Sequence, residues 1–223
     1  MIKDLLIVGG TGFIGSYLAN EALSRGFEVT VLSLNSRNLK QNNRDVEYLF
    51  ADITNLGKLS TVLNKKLFHH VVNLGGYINH SSFSKDGHRV FDVHFMGMYN
   101  LVRCTNHREL KSFIQIGSSD EYGSNTAPQN ENQREFPISP YSSAKTAATY
   151  FLQMLNRTEN FPAVILRPFL VYGSGQDKSR LIPQIISGCL ENNKFPVSQG
   201  EQLRDFCHVS DFINAIFSSF SNN

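Results

Sequence analysis

The feature that most constrains the fold is a glycine-rich stretch near the start of the chain, Gly9-Gly10-Thr11-Gly12-Phe13-Ile14-Gly15. It directly follows an apolar run over residues 4–8 and leads into a stripe of apolar residues with helical spacing. In such a strand–turn–helix unit, Gly9 allows the tight turn, Gly12 lets the backbone approach a pyrophosphate, and Gly15 lets the helix pack closely on the strand. The unpaired N–H groups at the start of the helix then face the phosphate. The stretch therefore predicts a dinucleotide-binding site.

Short runs rich in Val, Ile and Leu alternate with longer segments of helical period along most of the chain. Continuous apolar runs suit strands that are buried on both faces of a parallel sheet. The predicted strands are residues 4–8, 27–32, 46–50, 70–74, 112–116 and 163–166. The predicted helices are an apolar stripe of Ile14, Leu18, Ala22 and Leu23 closed by Gly26, then residues 56–64, 89–105, 141–158 and 181–191. This alternation predicts an α/β fold with a doubly wound parallel sheet.

Two polar stretches interrupt the alternation, residues 77–88 after the fourth strand and residues 125–140 after the fifth. Both would emerge at the carboxyl ends of strands, where open α/β sheets bind their ligands. We therefore expect them to be loops beside the binding site.

Composition excludes several classes of protein. The 223 residues contain 21 Lys plus Arg against 19 Asp plus Glu, a net charge of +2 that does not suggest a nucleic-acid-binding protein. Cys104, Cys189 and Cys207 are odd in number and far apart, so neither a disulfide framework nor a metal site is expected. No stretch approaches the roughly 18 apolar residues of a membrane span, and no targeting segment is present. These features favour a soluble cytoplasmic protein.

The end of the second predicted strand bears on the choice of cofactor. A carboxylate at this position holds the adenosine ribose of NAD, but the chain reads Ser33-Leu34-Asn35-Ser36-Arg37 and has no acid there. Ser33 can hydrogen-bond a ribose hydroxyl or a 2′-phosphate, and Arg37 either meets that phosphate or is a solvated loop residue. The cofactor is therefore NADP or NAD, with NADP slightly favoured.

A second chemical signal is the pair Tyr141 and Lys145, which shares one helix face at i,i+4 spacing. Chance alone gives roughly 0.4 such pairs in this chain, so the pair proves little by itself. Its context strengthens it, because Ser139-Pro140 marks the start of a long helix directly before it. The fifth strand also ends in Ser118-Ser119-Asp120, which places hydroxyl groups at the same edge of the sheet.

Together these residues resemble the extended short-chain dehydrogenase/reductase superfamily, in particular its nucleotide-sugar epimerase/dehydratase/reductase branch. The likeness runs through nearly the whole chain. It comprises the glycine-rich stretch, Asp52-Ile53, Asn73-Leu74-Gly75-Gly76, Ser118 before Tyr122-Gly123, Tyr141 with Lys145, Leu166-Arg167-Pro168, Val171-Tyr172-Gly173, Arg204-Asp205-Phe206 and Val209-Ser210-Asp211.

The resemblance implies roles for individual residues. Tyr141 would be the general acid/base at the sugar C4 oxygen, and Ser118 would hydrogen-bond the same oxygen. Lys145 would bind the nicotinamide ribose and lower the pKa of Tyr141 toward working pH. The implied cofactor contacts are Gly9, Thr11, Gly12, Phe13, Ile14, Gly15, Ser33, Arg37, Asp52, Ile53, Leu74, Gly75, Gly76 and Pro168, with Tyr141 and Lys145. The implied substrate contacts are Tyr77, Ser119, Asp120, Leu170 and Arg204, the last at the diphosphate.

Three departures from the family pattern are visible. His94 stands where the family carries Asn, and it is either a satisfied core histidine or part of an altered proton path. Leu170 also replaces an Asn, which removes one polar contact to the sugar. The chain ends at Asn223, before further elements that complete the substrate region in the family. We accordingly divide it into a dinucleotide-binding domain, residues 1–168, and a partial substrate-binding region, residues 169–223.

The implied substrate is a nucleotide-diphosphate sugar, and three reactions fit. The first is reduction of an NDP-4-keto-6-deoxyhexose, which the missing ribose carboxylate slightly favours. The second is 4-epimerisation of the UDP-glucose 4-epimerase type. The third is 4,6-dehydration, which needs an Asp–Glu pair. Counting back from Tyr122 places Ser119 and Asp120 at the two positions, so the pair is incomplete. A shift of one residue would restore the pair as Asp120 and Glu121. A non-catalytic NADP-binding regulator on the same fold is the alternative from another class.

Two further expectations follow from the resemblance. Residues 89–105 and 141–158 would lie side by side and form a homodimer seam, because they carry more apolar surface than covering a sheet requires. The resemblance implies that the far wall of the sugar site is built by residues after Asn223. Without that wall we expect the chain to bind the dinucleotide but to turn over the nucleotide sugar slowly. Phe206, Phe212, Ile216, Phe217 and Phe220 would then lack some packing partners.

Overall fold

The main element of the fold is a six-stranded parallel sheet. The computed structural model describes residues 3–36, 43–192 and 194–220. Its large sheet consists of β1 (Lys3–Val8), β2 (Phe27–Ser33), β3 (Val46–Phe50), β4 (His70–Asn73), β5 (Ser112–Ile116) and β6 (Ala163–Leu166). All pairings between these strands are parallel, and their order is β3-β2-β1-β4-β5-β6. The predicted doubly wound α/β fold is confirmed.

The strand order reverses between β1 and β4. The chain moves outward from β1 to β3 and then returns to pair β4 with the other side of β1, with Val8 opposite Asn73. Loops that leave the carboxyl ends of these two strands diverge to opposite faces of the sheet and leave a crevice between them. The glycine-rich turn follows β1 directly, so the topology places it in this crevice.

Helices cover both faces of the sheet. They are α1 (Phe13–Ser24), α2 (Leu56–Leu63), α3 (His88–Phe91), α4 (Gly97–Cys104), α5 (Pro140–Glu159), α6 (Leu181–Glu191) and α7 (Val209–Ser219). One apolar cluster packs α1 and α7 against the sheet, and the other packs α2, α4 and α5 against its opposite face. Leu5, Leu6 and Ile7 of β1 are fully buried, as a strand between two helical layers requires.

The segment between β4 and β5 differs from the prediction. Helical backbone begins at a π-helical turn, Phe83–Gly87, inside the predicted loop, and continues through α3 and a second π-helical turn, Asp92–Met96, into α4. A Cβ on Gly87 would lie 2.7 Å from Pro140 Cγ, so glycine allows the first turn to pack against the start of α5. A π-helical turn changes which side chains face a neighbour and is frequent at functional sites. The second turn carries His94.

After β6 the chain forms a small sheet and then returns to the large one. Strands β7 (Leu170–Tyr172) and β8 (Phe206–His208) pair in parallel as a two-stranded sheet. The expectation that Phe212, Ile216 and Phe217 lack packing partners is wrong, because α7 packs on α1 and buries all three. Phe220 is also packed, since its ring stacks on His70 at 4.4 Å. Phe206 is exposed.

The described residues lack two features, a membrane-spanning helix and a metal-binding cluster. No helix among them is long and apolar enough to cross a membrane. They also hold no cluster of three or more His, Cys, Asp or Glu side chains placed to bind a metal ion.

Candidate active site

A cavity of about 650 Å³ opens at the carboxyl ends of β1, β2 and β4. Its walls come from the glycine-rich turn, the end of β2, the loop after β3 and the turn after β4. Of the residues predicted to bind the cofactor, it is lined by Gly9, Thr11, Gly12, Phe13, Ile14, Gly15, Ser33, Asp52, Ile53, Leu74, Gly75 and Gly76. Tyr77, predicted to contact the substrate, lines this cavity instead of the second one described below. Arg37 lies outside the described residues.

The glycine-rich turn has the geometry that an anionic ligand needs. Gly9 has a φ of +79°, which favours glycine, and a Cβ on Gly15 would lie 2.4 Å from the Gly9 carbonyl oxygen. Gly12 is the N-cap of α1, and within the described chain no side chain caps this helix start. The first N–H groups of α1 therefore remain for a ligand, and the positive end of the helix dipole favours an anion. The cavity thus fits the pyrophosphate of a dinucleotide.

The end of β2 supplies hydroxyl groups and no carboxylate to the cavity. Ser33 is buried, and its Oγ lies 2.6 Å from Thr11 Oγ1, within hydrogen-bond distance. The next residue, Leu34, is exposed on the cavity wall. The hydroxyl pair links the glycine-rich turn to β2 at the place where a ribose-binding acid would stand.

The loop after β3 is held rigidly from α4. Asp52 Oδ1 accepts hydrogen bonds from Thr54 N at 2.9 Å and from Thr54 Oγ1 at 2.8 Å. Asn100 Nδ2 donates to the carbonyl oxygens of Ile53 at 3.0 Å and Thr54 at 3.1 Å. Asn100 is buried, so these bonds satisfy its amide and fix the loop that forms one cavity wall.

Tyr141 sits in the first turn of α5, as the Ser-Pro signal predicts. Ser139 is the N-cap and forms a capping box with Ser142, and Pro140 begins the helix. Tyr141 is 5% exposed, and burial raises its pKa to about 12. Interactions with the Ser118 side chain and with Arg180 act in the opposite direction, whereas the charges of Asp120 and Glu121 raise the pKa further.

The expected effect of Lys145 on this tyrosine is wrong. Lys145 Nζ lies 5.8 Å from the centre of the Tyr141 ring, yet burial dominates and the tyrosine pKa is raised, not lowered. Lys145 is itself buried, and burial lowers its pKa to about 8, partly opposed by Glu121. Its Nζ donates to the Ile116 carbonyl oxygen at 2.7 Å, at the end of β5. At neutral pH the site therefore holds a protonated tyrosine beside a charged lysine.

Ser118 begins a 3₁₀ turn, Ser119–Glu121, that a buried carboxylate holds in place. Glu121 is fully buried, and its Oε1 accepts from Ser118 N at 2.9 Å while its Oε2 accepts from Thr149 Oγ1 at 2.8 Å. Arg167 Nε donates to Glu121 Oε2 at 2.9 Å and also pairs with Glu135, which the Tyr150 hydroxyl contacts. Glu121 therefore faces the protein interior, and the register shift that would make it a catalytic acid is wrong.

A second cavity, of about 1210 Å³, lies beyond Tyr141. Four of the five predicted substrate residues line it: Ser119, Asp120, Leu170 and Arg204. Its other polar lining includes Gln129 and His80, and His80 Nε2 lies 3.8 Å from Asp120 Oδ2. The His80 ring also contacts Tyr141, with centroids 5.6 Å apart. Pro168 lines neither cavity, but its carbonyl oxygen accepts from Ser119 N at 3.1 Å.

Sequence reasoning missed two residues of this site, His80 and Arg180, and the pairing of two others, Glu121 and Arg167. His80 lies in the predicted loop, where one histidine among many polar residues carries no signal. Arg180 is the N-cap of α6 and acts on Tyr141 through its charge. Glu121 and Arg167 are 46 positions apart, and only the folded chain brings them together.

His94 occupies the layer behind Tyr141. It is 3% exposed, its Nε2 lies 2.8 Å from the Tyr77 carbonyl oxygen, and its ring meets the Tyr141 ring edge to face at 5.0 Å. Tyr141 thus contacts both His94, next to the turn after β4, and His80, in the second cavity.

The doubly wound parallel sheet, with a glycine-rich turn at the point where its strand order reverses, defines an α/β protein with a Rossmann fold. More narrowly, the sequence model of the NAD dependent epimerase/dehydratase family matches residues 5–222, and the chain belongs to that family. The resemblance inferred from the motifs is therefore confirmed.

Comparison with known proteins finds both epimerases and dehydratases. The chain is 25% identical to the dTDP-D-glucose 4,6-dehydratase of Dictyostelium discoideum over 236 residues, which cover 96% of this chain and 54% of the relative. The structure of a UDP-N-acetylglucosamine 4-epimerase from Methanobrevibacter ruminantium, in complex with UDP-N-acetylmuramic acid, matches with a TM-score of 0.87 and 26% identity, covering 100% of this chain and 74% of the other. A UDP-glucuronic acid 4-epimerase from Bacillus cereus, in complex with UDP-glucuronic acid and NAD, matches with a TM-score of 0.85 and 26% identity over 99% of this chain and 74% of the other. This chain therefore spans about half to three quarters of the length of these three proteins.

Proposed function

We propose that this chain exchanges hydride between NAD(P) and C4 of a nucleotide-diphosphate sugar, and that the overall reaction is 4-epimerisation. The observation that carries the proposal is the position of Tyr141. Its ring contacts both His80, which lines the second cavity, and His94, which packs against the turn lining the dinucleotide cavity. An acid/base group at this position can exchange a proton with the C4 oxygen of a sugar in the second cavity, while C4 itself faces the nicotinamide of a dinucleotide in the first. The two solved structures described above, each 26% identical to this chain, are both of 4-epimerases.

The chain's own residues would divide the work as follows. Tyr141 exchanges a proton with the C4 oxygen, and Ser118 hydrogen-bonds that oxygen and orients it. Lys145 binds the nicotinamide ribose through its spare N–H groups. The bound nicotinamide supplies the hydride acceptor and donor. Because burial keeps Tyr141 protonated, the site as it stands is ready to donate a proton, which is what reduction of a 4-keto group requires.

The second cavity is proposed to hold the sugar and its diphosphate. Asp120, Ser119 and Gln129 offer hydrogen-bonding groups to hydroxyls, and Arg204 offers a cation to the phosphates. Residues 1–168 would then bind the dinucleotide and residues 169–223 would supply part of the sugar site, with α7 packed on the first part. We also propose a homodimer through residues 89–105 and 141–158.

Dehydration is less well supported by the site. The resemblance implies that the 4,6-dehydratase reaction uses two neighbouring carboxylates. Here only Asp120 supplies a carboxylate to the cavity, because Ser119 occupies the other position. Glu121 cannot replace it, since both its oxygens are engaged in the interior.

The second candidate function is the reduction of an NDP-4-keto-6-deoxyhexose. The observation in its favour is the end of β2, where Ser33 and Thr11 replace the carboxylate that would repel a 2′-phosphate. NADPH is the usual donor for reductions, so the preference for NADP that the sequence predicts would suit this reaction.

One set of assays separates the candidates. Purified protein would be offered UDP-glucose, UDP-N-acetylglucosamine or UDP-glucuronic acid with NAD or NADP, and 4-epimers would be sought by NMR. In parallel it would be offered dTDP-4-keto-6-deoxyglucose with NADPH or NADH. Oxidation of the cofactor would be followed by the loss of its absorbance at about 340 nm. Epimers support the proposal, whereas NADPH oxidation alone supports the reductase. Dinucleotide binding with no turnover in any assay would favour a non-catalytic regulator.

A further inference from the structure

His80 and Asp120 form an open pair of polar side chains in the second cavity. His80 lies in the loop after β4, Asp120 lies in the 3₁₀ turn after β5, and both line the cavity. His80 Nε2 lies 3.8 Å from Asp120 Oδ2, which is longer than a hydrogen bond. The two side chains are 56% and 42% exposed, and an ion pair this exposed adds little to stability. The pair therefore has room for a ligand group that bonds to both members.

The pair lies beside the side chain of Tyr141. The His80 ring meets the Tyr141 ring edge to face, with the centroids 5.6 Å apart. Burial raises the pKa of Tyr141 and the negative charge of Asp120 raises it further, so the carboxylate is also close enough to act on the phenol. When Tyr141 contacts the C4 oxygen of a sugar, a substituent on a neighbouring ring carbon would thus reach His80 and Asp120.

The chemistry of the pair fits a neutral hydroxyl group. An ionised carboxylate only accepts hydrogen bonds, whereas an imidazole N–H donates one, and Nε2 is the His80 nitrogen that faces Asp120. A hydroxyl group can donate to the carboxylate and accept from the imidazole at the same time, because it has one O–H and two lone pairs. A ligand carboxylate would be repelled by Asp120. A hydrogen or methyl group in the same place would leave both polar groups without a partner.

The surroundings of the pair are less suited to recognising a hydroxyl group. Ile138, Phe169 and Leu170 expose apolar side chains in the same cavity. The hydroxyl groups of Ser139 and Ser142 also line it, but they lie 3.0 Å apart and are engaged with each other at the start of α5. In ligand pockets, a small number of placed polar groups among apolar walls fixes orientation and specificity.

We propose that His80 is a specificity-determining residue, which together with Asp120 binds one hydroxyl group on a carbon next to C4 of the sugar. That hydroxyl is carried by C3 directly or by C5 through C6, and both offer the same chemistry to the pair. The proposal rests on the proposed function, since the proposed function places the C4 oxygen at Tyr141. The substrate class that follows is a nucleotide-diphosphate hexose that retains this hydroxyl, as opposed to the corresponding deoxy sugar.

The test is a calorimetric titration of nucleotide sugars into the full chain, saturated with NAD or NADP and carrying Tyr141→Phe so that turnover is suppressed. UDP-glucose and dTDP-glucose are compared first, and the nucleotide that binds more tightly is used for the 3-deoxy and 6-deoxy analogues. We expect one analogue to bind about tenfold more weakly than the parent sugar, and the other to bind like the parent. A loss with the 6-deoxy analogue assigns the C6 hydroxyl, and a loss with the 3-deoxy analogue assigns the C3 hydroxyl.

Substitutions at position 80 assign the effect to His80. His80→Phe keeps an aromatic ring beside Tyr141 but has no N–H, so it should weaken binding of the parent sugar about tenfold and leave the weaker analogue unchanged. His80→Gln keeps an N–H donor and should recover part of the loss. The matched control is His88→Phe, which replaces an exposed histidine that lines neither cavity and should change no affinity.

Three results would overturn the proposal. One is equal affinity for the parent sugar and both analogues when His80 is present. Another is a His80→Phe protein, folded by circular dichroism, that keeps the preference for the parent sugar. A third is the absence of binding by any of these nucleotide sugars. Should His80→Phe not fold, His80→Ala gives the same decision.

The outcome is distinguishable from that of the proposed function, because affinities are measured and turnover is not. If the native protein forms 4-epimers but the analogues bind as well as the parent sugar, the role of His80 is rejected and the proposed function stands. If binding is selective through His80 but no assay yields 4-epimers, the proposed function is rejected and the hydroxyl site stands.

Discussion

Glu121 and Arg167 form a buried ion pair directly beneath the turn that presents Ser118. One Glu121 oxygen accepts from Arg167 Nε at 2.9 Å, and the other accepts from the backbone N–H of Ser118 at 2.9 Å. The carboxylate thus connects β6, α5 and the turn after β5. A buried charge is costly unless it is paired, so this pair both maintains the fold and fixes the position of a proposed catalytic hydroxyl.

Arg167→Met should strongly destabilise the protein. It leaves Glu121 and Glu135 without their cation in the interior, and breaking a buried pair in this way costs about 3–5 kcal/mol in the free energy of unfolding. Urea denaturation followed by circular dichroism measures the change. The matched control is Lys66→Met, which removes a half-exposed ion pair with Glu47 and should cost under about 1 kcal/mol. Equal losses for the two variants would contradict the prediction.

Tyr141→Phe should lower turnover by about three orders of magnitude, within the range for removing a general acid/base. The affinity for the dinucleotide should change little, because the ring and its contacts with His80 and His94 remain. Steady-state kinetics and calorimetric titration measure the two quantities. Tyr48→Phe, which removes a hydroxyl on edge strand β3, is the control. Near-normal turnover by the Tyr141 variant would show that another group transfers the proton.

The native protein should bind NADP(H) more tightly than NAD(H), because Ser33 stands where a carboxylate would repel the 2′-phosphate. Ser33→Asp should reverse this order and also lose the hydroxyl contact with Thr11. Calorimetric titration with each cofactor is the measurement. Ser33→Ala separates the added charge from the lost hydroxyl, and it should keep the native order. A clear preference of the native protein for NAD would refute the prediction.

Stability should fall on acidification because of His70. Burial, assisted by the charges of His69, Lys3 and Lys111, lowers the pKa of His70 to about 4, against about 6.5 in the unfolded chain. Between these values the unfolded chain binds a proton that the folded chain does not, so acid favours unfolding. The contribution is complete above about pH 6.5 and is lost progressively toward pH 4, with a slope of up to about 1.4 kcal/mol per pH unit.

Urea unfolding at pH 8, 7, 6 and 5 measures this slope. His70→Gln removes the titrating group, and it should flatten the slope by up to about 1.4 kcal/mol per pH unit even if the variant is less stable throughout. His94 contributes in the same direction, since its pKa is lowered to about 3. An unchanged slope in the His70 variant would assign the acid sensitivity to other groups.

The protein should be a homodimer at micromolar concentration. Met96, Tyr150 and Met154 are exposed on the segments predicted to form the seam, and the Phe151 ring lies 5.5 Å from Tyr99 at the same surface. Met154→Arg should shift the equilibrium toward monomer, because a second copy places an equivalent charge against it. Light scattering after size exclusion measures the mass. A monomeric native protein would contradict the prediction.

Much of the dinucleotide-binding half was predictable because its signals are local. A glycine-rich turn between a strand and a helix, or Ser139-Pro140 before Tyr141, acts through backbone geometry over a few residues. Three of the six strands, β3, β5 and β6, match their predicted bounds, and the other three differ from them by one residue at one end. Periodicity did not predict the π-helical turns, because each turn shifts the apolar spacing over only five residues, too few to be told from an interruption of the α-helical pattern.

The sequence by itself determined the fold class, the place of the glycine-rich turn after β1 and the pairing of Tyr141 with Lys145 on one face of α5. Only the tertiary structure decided that Glu121 belongs to the interior, that His80 lies beside Asp120 and Tyr141, and that α7 returns to the large sheet. Local signals specify backbone conformation within one turn or one strand. The charge, burial and hydrogen bonding of a side chain depend instead on partners tens of residues away, and those partners exist only once the layers have packed.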